Sequence, residues 1–410
     1  SSDLSKRFNF YMRKQLSRTV IILSLVSLFT DIASEMLYPI MPIYLKSIGF
    51  SVLLIGILEG IAEATAGISK GYFGELSDRI EKRTPFIRLG YLLSALAKPA
   101  LAISKWPFWI FIARTTERLG KGIRTSARDA LLSDESTPKT RGRVFGFHRS
   151  MDTLGAAIGP IITLSLISFF PGNYNFIFVL TAIPGFAAIL LTFLFREKHS
   201  KKAVNTLNKP KFSFLTFFNY WKEASTNYKH IVIGLILFTL INSSDAFLLL
   251  KVKDSGYSDS FVVGLYIFYN FSYALLSYPM GYLSDKLSMK GTIIIGLIAF
   301  SLTYLGFSIL TAKIHFVILF GIYAAYAAST EGVVKAWLSN NLPRGRTATG
   351  LGLYNSLQSI STLIASSLAG TIWLISDSKT VFMISAIGSV IAAGYIAIFT
   401  KTNVTYQANV

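Results

Sequence analysis

Gly74-Glu-Leu-Ser-Asp78-Arg79 and Gly281-Tyr-Leu-Ser-Asp285-Lys286 are nearly the same stretch written twice, each closing a long apolar run and each followed by further basic residues. The copies lie 281 − 74 = 207 residues apart, about half of the 410-residue chain. Self-similarity at that spacing reads as duplication of a membrane-embedded half, which puts the same turn on the same side of a bilayer twice.

Composition points to a bilayer. The chain is 52% hydrophobic and only 15% charged, with a mean hydropathy of +0.51, which is far from the balance of a soluble domain. A span needs about 20 mainly apolar residues. Twelve candidates follow along the sequence, near residues 19–45, 53–74, 86–104, 107–129, 144–169, 175–195, 230–250, 260–283, 291–311, 315–338, 347–373 and 379–400. The basic-then-apolar start has the order of a signal peptide. Its apolar run is too long for one, carries Asp31 and Glu35, and lacks a small-residue cleavage pattern.

The formal charge of 40 − 21 = +19 would suggest nucleic acid in a soluble protein, but its placement argues otherwise. Basic residues crowd the N-terminal tail (Lys6, Arg7, Arg13, Lys14, Arg18) and then every second loop: Arg79, Lys82 and Arg83; Lys139, Arg141 and Arg143; Arg196 to Lys229; Lys286 and Lys290; Arg344 and Arg346. The positive-inside rule then puts both termini in the cytoplasm of a multi-pass protein of the plasma (inner) membrane. No nucleic-acid partner is expected, and attraction to anionic lipid is a by-product. Cysteine is absent and four scattered histidines show no ligand spacing. Neither a metal site nor a cofactor is expected.

Between the sixth and seventh spans the character changes. Arg196-Glu-Lys-His-Ser-Lys-Lys202 is a solvated basic run, and 210–222 is aromatic and amphipathic. The segment reads as a cytoplasmic linker with a short helix lying on lipid headgroups. The expected organisation is therefore an N-terminal six-helix bundle at 1–195, a linker at 196–229 and a C-terminal six-helix bundle at 230–410. The duplication also extends beyond its opening pair. Thr116-Glu117-Arg-Leu-Gly-Lys121 in span four matches Thr330-Glu331-Gly-Val-Val-Lys335 in span ten, and an Arg-Gly-Arg follows each, at 141–143 and 344–346.

The pattern Gly74, Leu76, Asp78, Arg79, Lys82 and Arg83 between spans two and three resembles the loop signature of the major facilitator superfamily, and the second copy resembles its weaker partner between spans eight and nine. With the span count, the linker and the repeat, the resemblance covers essentially the whole chain. It departs where Glu81 takes the place of the family's usual glycine. It implies an all-α membrane protein of twelve transmembrane helices in two pseudo-symmetric six-helix bundles. It also implies a conformational latch of Gly74, Asp78, Arg79, Gly281, Asp285 and Lys286, in which Asp78 caps a helix N-terminus and Arg79 holds a partner.

Charges inside the spans mark a candidate site. At about 100° per residue, Arg114, Glu117, Arg118, Lys121, Arg124 and Arg128 of span four share an arc of about 120°. Span one carries Asp31, Glu35 and Tyr38 on one face, span two Glu59, Glu63 and Lys70, span five His148, Arg149 and Asp152, span seven Asp245, and span ten Glu331 and Lys335. A charge at mid-bilayer costs about 2.5–3.5 kcal/mol even on lenient scales, so these residues must face protein or water. Salt bridges that serve structure alone are the competing account, above all for the i,i+4 pairs Glu117–Lys121 and Glu331–Lys335. Carboxylates in such a cavity suit proton coupling; the candidates are Asp31, Glu35, Glu63, Glu117, Asp152, Asp245 and Glu331. Tyr38, Arg114, Arg118, Arg149 and Lys335 are the candidate substrate contacts.

Gly155-Ala-Ala-Ile-Gly159-Pro160 in span five brings small residues four apart next to a proline, which allows close helix approach. It resembles the family's antiporter signature on that span. The expectation is a monomeric, proton-coupled secondary transporter, not an enzyme, which moves a small organic solute by alternating access. Efflux by proton antiport leads, in the manner of the drug:proton antiporters. The alternative is a symporter or exporter of a charged metabolite, anion or siderophore, which the density of cations on span four would favour. The second half, sparser in charge, is expected to be the more passive one.

Overall fold

The computed structural model describes residues 16–38, 40–170, 172–197, 215–243 and 245–401. Lys6, Arg7, Arg13 and Lys14 of the basic tail, and the linker from 198 to 214, lie outside the described residues. The described chain is built from helices: span one (Arg18–Glu35 continued by Met41–Ser47), two (Val52–Ile80), three (Thr84–Ala100), four (Pro107–Asp134), five (Arg141–Phe169) and six (Tyr174–Leu180 continued by Ala182–Leu191) form the first half. The second half comprises span seven (Thr226–Ile241 continued by Ala246–Asp254), eight (Asp259–Lys286), nine (Met289–Ile309), ten (Lys313–Asn340), eleven (Thr347–Ile375) and twelve (Ser378–Phe399). Among the described residues, eight helical stretches, spans five to twelve, are long and apolar enough to cross a membrane. The other four are the short or charge-bearing spans of the first half.

Local chemistry sets where helices start. Ser51 accepts from Leu54 N–H at 3.1 Å to open span two, and Ser258 accepts from Phe261 N–H at 3.3 Å to open span eight. These side-chain caps satisfy amide groups that have no helical partner. The two caps are 258 − 51 = 207 residues apart, the offset of the duplicated loop. The helical segments of spans one and seven end at corresponding places, with C-caps Met36 and Asn242 separated by 242 − 36 = 206 residues. Both are interrupted helices, and neither interruption was expected from the sequence.

The halves meet through symmetry-related pairs, span two against eleven and span five against eight. Glycine lets these backbones touch. A methyl group added at Gly74 would lie 2.5 Å from the Ala348 carbonyl oxygen, and one at Gly281 would collide with the carbonyl of Gly142. Towards the opposite end, on the same face of span two, an added methyl at Gly56 or Gly60 would meet nothing. The molecule is therefore closed at the end bearing Asp78 and Asp285 and open at the other.

The structure corrects one local expectation and defines one turn. The linker's short helical segment, Thr216–Asn219 and Tyr220–Glu223, does not lie out on headgroups. Phe217 is buried against Gly71 of span two, Tyr220 is buried beside Tyr228, and Glu223 pairs with Arg346 at 2.8 Å. Of the aromatic residues that looked like a lipid-facing stripe, Phe217 and Tyr220 instead fill a groove that touches both halves, and Phe212 and Phe214 lie outside the described residues. Second, Glu81 closes span two in the left-handed region at φ 57°, the one non-glycine residue with positive φ among the described residues. The chain keeps the turn that a glycine would make, at a cost of about 1–2 kcal/mol.

Candidate functional site

The charged face of span four meets span two. Arg114 forms a fork with Glu59 at 2.7 and 3.0 Å and also bonds Glu117 at 2.9 Å. Arg118 lies 3.7 Å from Glu59, 3.5 Å from Glu63 and 3.7 Å from Glu117. Buried charges persist when such partners surround them. Glu63 and Glu117, expected as proton carriers, thus serve these arginines. Glu117 pairs with Arg114 and Arg118, not with Lys121 one turn on.

Beside this cluster a small polar cavity of about 50 Å³ is lined by Asp31, Glu35, Tyr38, Arg118 and Lys121, among others. That volume admits water. One oxygen of Glu35 is buried there without a hydrogen-bond partner. Asp31 lies beside Asp152 of span five. Asp152 accepts from Ser27 at 2.5 Å and pairs with Arg149 at 2.9 Å. Gly155 and Gly159 make this approach of spans one and five possible, because a methyl on either would press on Asp31 or Glu35 respectively, at 3.0 and 2.7 Å.

The main cavity, about 500 Å³, belongs mostly to the second half. Phe238, Tyr266, Tyr326 and Tyr354 supply aromatic surface, Asp245 and Glu331 supply acid, and Pro160 and Tyr38 close it from the first half. Tyr38 lines both cavities. The second half, sparser in charge, thus contributes a largely aromatic wall that also carries Asp245, Glu331 and Lys335. Asp245 sits at the interruption of span seven, where Tyr323 donates to it at 2.6 Å.

Beneath the cavity the halves are tied by polar contacts. Lys335 bonds Asp129 at 2.9 Å, and Asp129 is wholly buried. Arg149 reaches Glu331 at 3.7 Å and donates to the Tyr273 hydroxyl at 2.5 Å, while Ser150 donates to the Ala274 carbonyl at 2.5 Å. The Glu331–Lys335 pairing expected from i,i+4 spacing is therefore replaced by two ion pairs between halves. Asp129 was missed by the sequence reading. Its signal is its place on span four one residue after Arg128, on a helix whose other charges invite attention to a different face.

At the closed end both copies of the repeated loop act alike. Asp78 accepts from the Thr349 amide and hydroxyl, each at 2.6 Å, at the start of span eleven. Asp285 accepts from the Gly142 amide at 2.7 Å, the Arg143 amide at 3.0 Å and Arg143 Nε at 2.9 Å, at the start of span five. Carboxylates at helix N-termini are favourably placed. The expected cap is present, but the cation on Asp78 is Arg83, at 2.5 Å; Arg79 pairs with Glu75 at 2.6 Å one turn back. Lys286 stands over the Tyr282 ring at 4.7 Å. The amide of Arg83 in turn bonds Glu197 at 2.8 Å, as does that of Thr84 at 3.0 Å, which fixes the start of span three.

Comparison with known proteins agrees with this architecture. A family model described as Major Facilitator Superfamily matches residues 23–271 and 258–409. An uncharacterized transporter of that type from Methanocaldococcus jannaschii is 34% identical over 373 residues, covering 90% of this chain and 91% of its own. The multidrug resistance protein MdtG of Klebsiella pneumoniae is 28% identical over 171 residues, 40% of each chain. Among solved structures, a bacterial homologue of the iron transporter ferroportin in its outward-facing state superposes with a TM-score of 0.75 at 14% identity, over 93% of this chain and 99% of that one.

Proposed function

This chain belongs to the major facilitator superfamily, a family of membrane transporters rather than enzymes, and we propose that it exports a small organic solute in exchange for protons. The observation that carries this reading is Tyr38, one side chain that forms a wall of both the acid-bearing small cavity and the aromatic large one. A proton taken by Asp31 or Glu35 changes the charge a few ångströms from the solute, so the two occupants compete through Tyr38. In this scheme the closed end faces the cytoplasm, both termini lie there, and the protein works as a monomer in the plasma membrane. Bundles 1–195 and 230–410, joined by 196–229, rock about the cavities. Opening the closed end breaks the caps made by Asp78 and Asp285 and the ion pairs Lys335–Asp129 and Arg149–Glu331, and closing the other end repays that loss.

The similarity to a multidrug resistance protein supports export. The rival, a symporter or exporter of a charged metabolite, anion or siderophore, drew on the arginines of span four, and it loses weight because Arg114 is held by Glu59 and Glu117 and Arg118 lies against Glu63. Reconstituted vesicles test the proposal. An imposed pH gradient is expected to drive solute against the proton flow. Asp31→Asn and Glu35→Gln should bind solute and equilibrate it downhill while losing the response to pH. Solute moving with the protons would establish symport instead, and an unchanged response in both variants would remove the coupling role given to these acids.

A further inference from the structure

The interruption of span seven places three oxygen acceptors on one side of the large cavity. Ser243, only 3% exposed, has its hydroxyl next to that of Tyr304, and the carbonyl oxygen of the Asn242 side chain is buried without a hydrogen-bond partner. Both residues and Asp245 line the cavity. Tyr323 satisfies one Asp245 oxygen, but no ion pair to this carboxylate exists among the described residues. The other charges of the lining are committed: Lys335 to Asp129 and Glu331 to Arg149. What remains is a carboxylate without an ion-pair partner among the described residues, an unfilled amide oxygen near it, and the aromatic surfaces of Phe238, Tyr266 and Tyr326 in the same cavity.

A carboxylate and an amide oxygen give the cavity a negative potential, which a cation offsets without having to donate a hydrogen bond, and aromatic faces attract cations. A partner of opposite character, an organic anion, would meet Asp245 with no cation free to offset it. Resting on the transport reading above, we infer that the solute is an amphipathic organic cation whose charged nitrogen or phosphorus centre sits at Asp245, Asn242 and Ser243 and whose apolar body lies on the aromatic wall. Asp245 then recognises the solute, and the proton is left to the acids of the first half. The division puts solute charge and proton charge on opposite sides of Tyr38.

Tetraphenylphosphonium and tetraphenylborate have nearly the same shape and opposite charge, which isolates the sign of the site. Equilibrium dialysis of each against the full-length protein in nanodiscs, with empty nanodiscs subtracted, is expected to show tetraphenylphosphonium bound at least tenfold more tightly. Asp245→Asn should lose at least tenfold of that affinity and Asp245→Glu should retain most of it, with thermal unfolding of both variants close to that of the parent protein. Equal or tighter binding of the borate, binding of neither ion, or an Asp245→Asn variant that binds the phosphonium normally would overturn the assignment. Failure of the transport reading looks different: the phosphonium would bind through Asp245, yet a pH gradient would not move it.

Discussion

Neutralising the two capping aspartates should open the closed end, and by unequal amounts that follow from counting bonds between the halves. Asp78→Asn weakens two such bonds, to the amide and hydroxyl of Thr349. Its contact with Arg83 lies within the first half, exists in both conformations and cancels from the difference between them. Asp285→Asn weakens three, to Gly142 and twice to Arg143. A hydrogen bond to a charged group is worth about 1.5–3 kcal/mol and a neutral one about 0.5–1.5, so each bond loses about 1 kcal/mol. The expected shifts toward the form open at this end are about 2 kcal/mol for Asp78→Asn and about 3 kcal/mol for Asp285→Asn, roughly 30-fold and 150-fold in the equilibrium. The chain has no cysteine, so spin labels at Lys139→Cys and Arg344→Cys, exposed positions at this end on opposite halves, report without background. Pulsed electron–electron distances should be short in the parent, gain a longer component in Asp78→Asn and a larger one in Asp285→Asn. A normal distribution in Asp285→Asn beside an opened Asp78→Asn would refute the bond count and return the second copy to a passive role.

Glu81→Gly should raise stability by about 1 kcal/mol, since glycine holds a positive φ without the steric cost; a lower unfolding midpoint in detergent would contradict the left-handed turn. Glu117→Gln leaves two buried guanidinium groups short of an acceptor charge and should cost about 3 kcal/mol. A midpoint within error of the parent would mean that Glu59 and Glu63 suffice for both. Gly159→Val presses on Glu35 across the seam of spans one and five and should cost about 1–3 kcal/mol through overpacking, with a parallel loss of exchange; unchanged stability would show that the seam can yield. Phe217→Ala removes a ring buried against span two and should cost about 3 kcal/mol, which scanning calorimetry can read; no effect would return the linker helix to the lipid surface.

The duplication is legible in the sequence because it is written in capping chemistry as well as in motif. The offset that separates Gly74 from Gly281 also separates Ser51 from Ser258. Helical periodicity likewise reveals that the charges of span four share a face. It says nothing of what that face meets, and Glu59, whose forked contact to Arg114 decides the matter, is simply one acid among several in span two. Local spacing misleads in the same way at Lys335, where a glutamate four residues earlier is a weaker partner than a buried aspartate 335 − 129 = 206 residues back. The interruption of span one has a visible cause in the sequence, Pro39. That of span seven has no proline, only Asn242-Ser-Ser-Asp245, residue types of modest helix propensity that do not announce a break. The aromatic cavity was illegible for a further reason: Phe238, Tyr266, Tyr326 and Tyr354 come from four spans, and only packing assembles them.

The seam at the closed end joins main chain to main chain. Beyond Gly74 and Gly281, a methyl at Gly146 would lie 2.5 Å from the Ser277 carbonyl and one at Gly352 2.6 Å from that of Lys70. Backbones that leave no room for a methyl group leave none for a file of water molecules, and protons move quickly only along such files. The glycine contacts therefore insulate as well as join: a side chain large enough to hold the helices one water diameter apart would leave a carrier that still binds and still turns over, yet slowly short-circuits the gradient across the membrane it sits in.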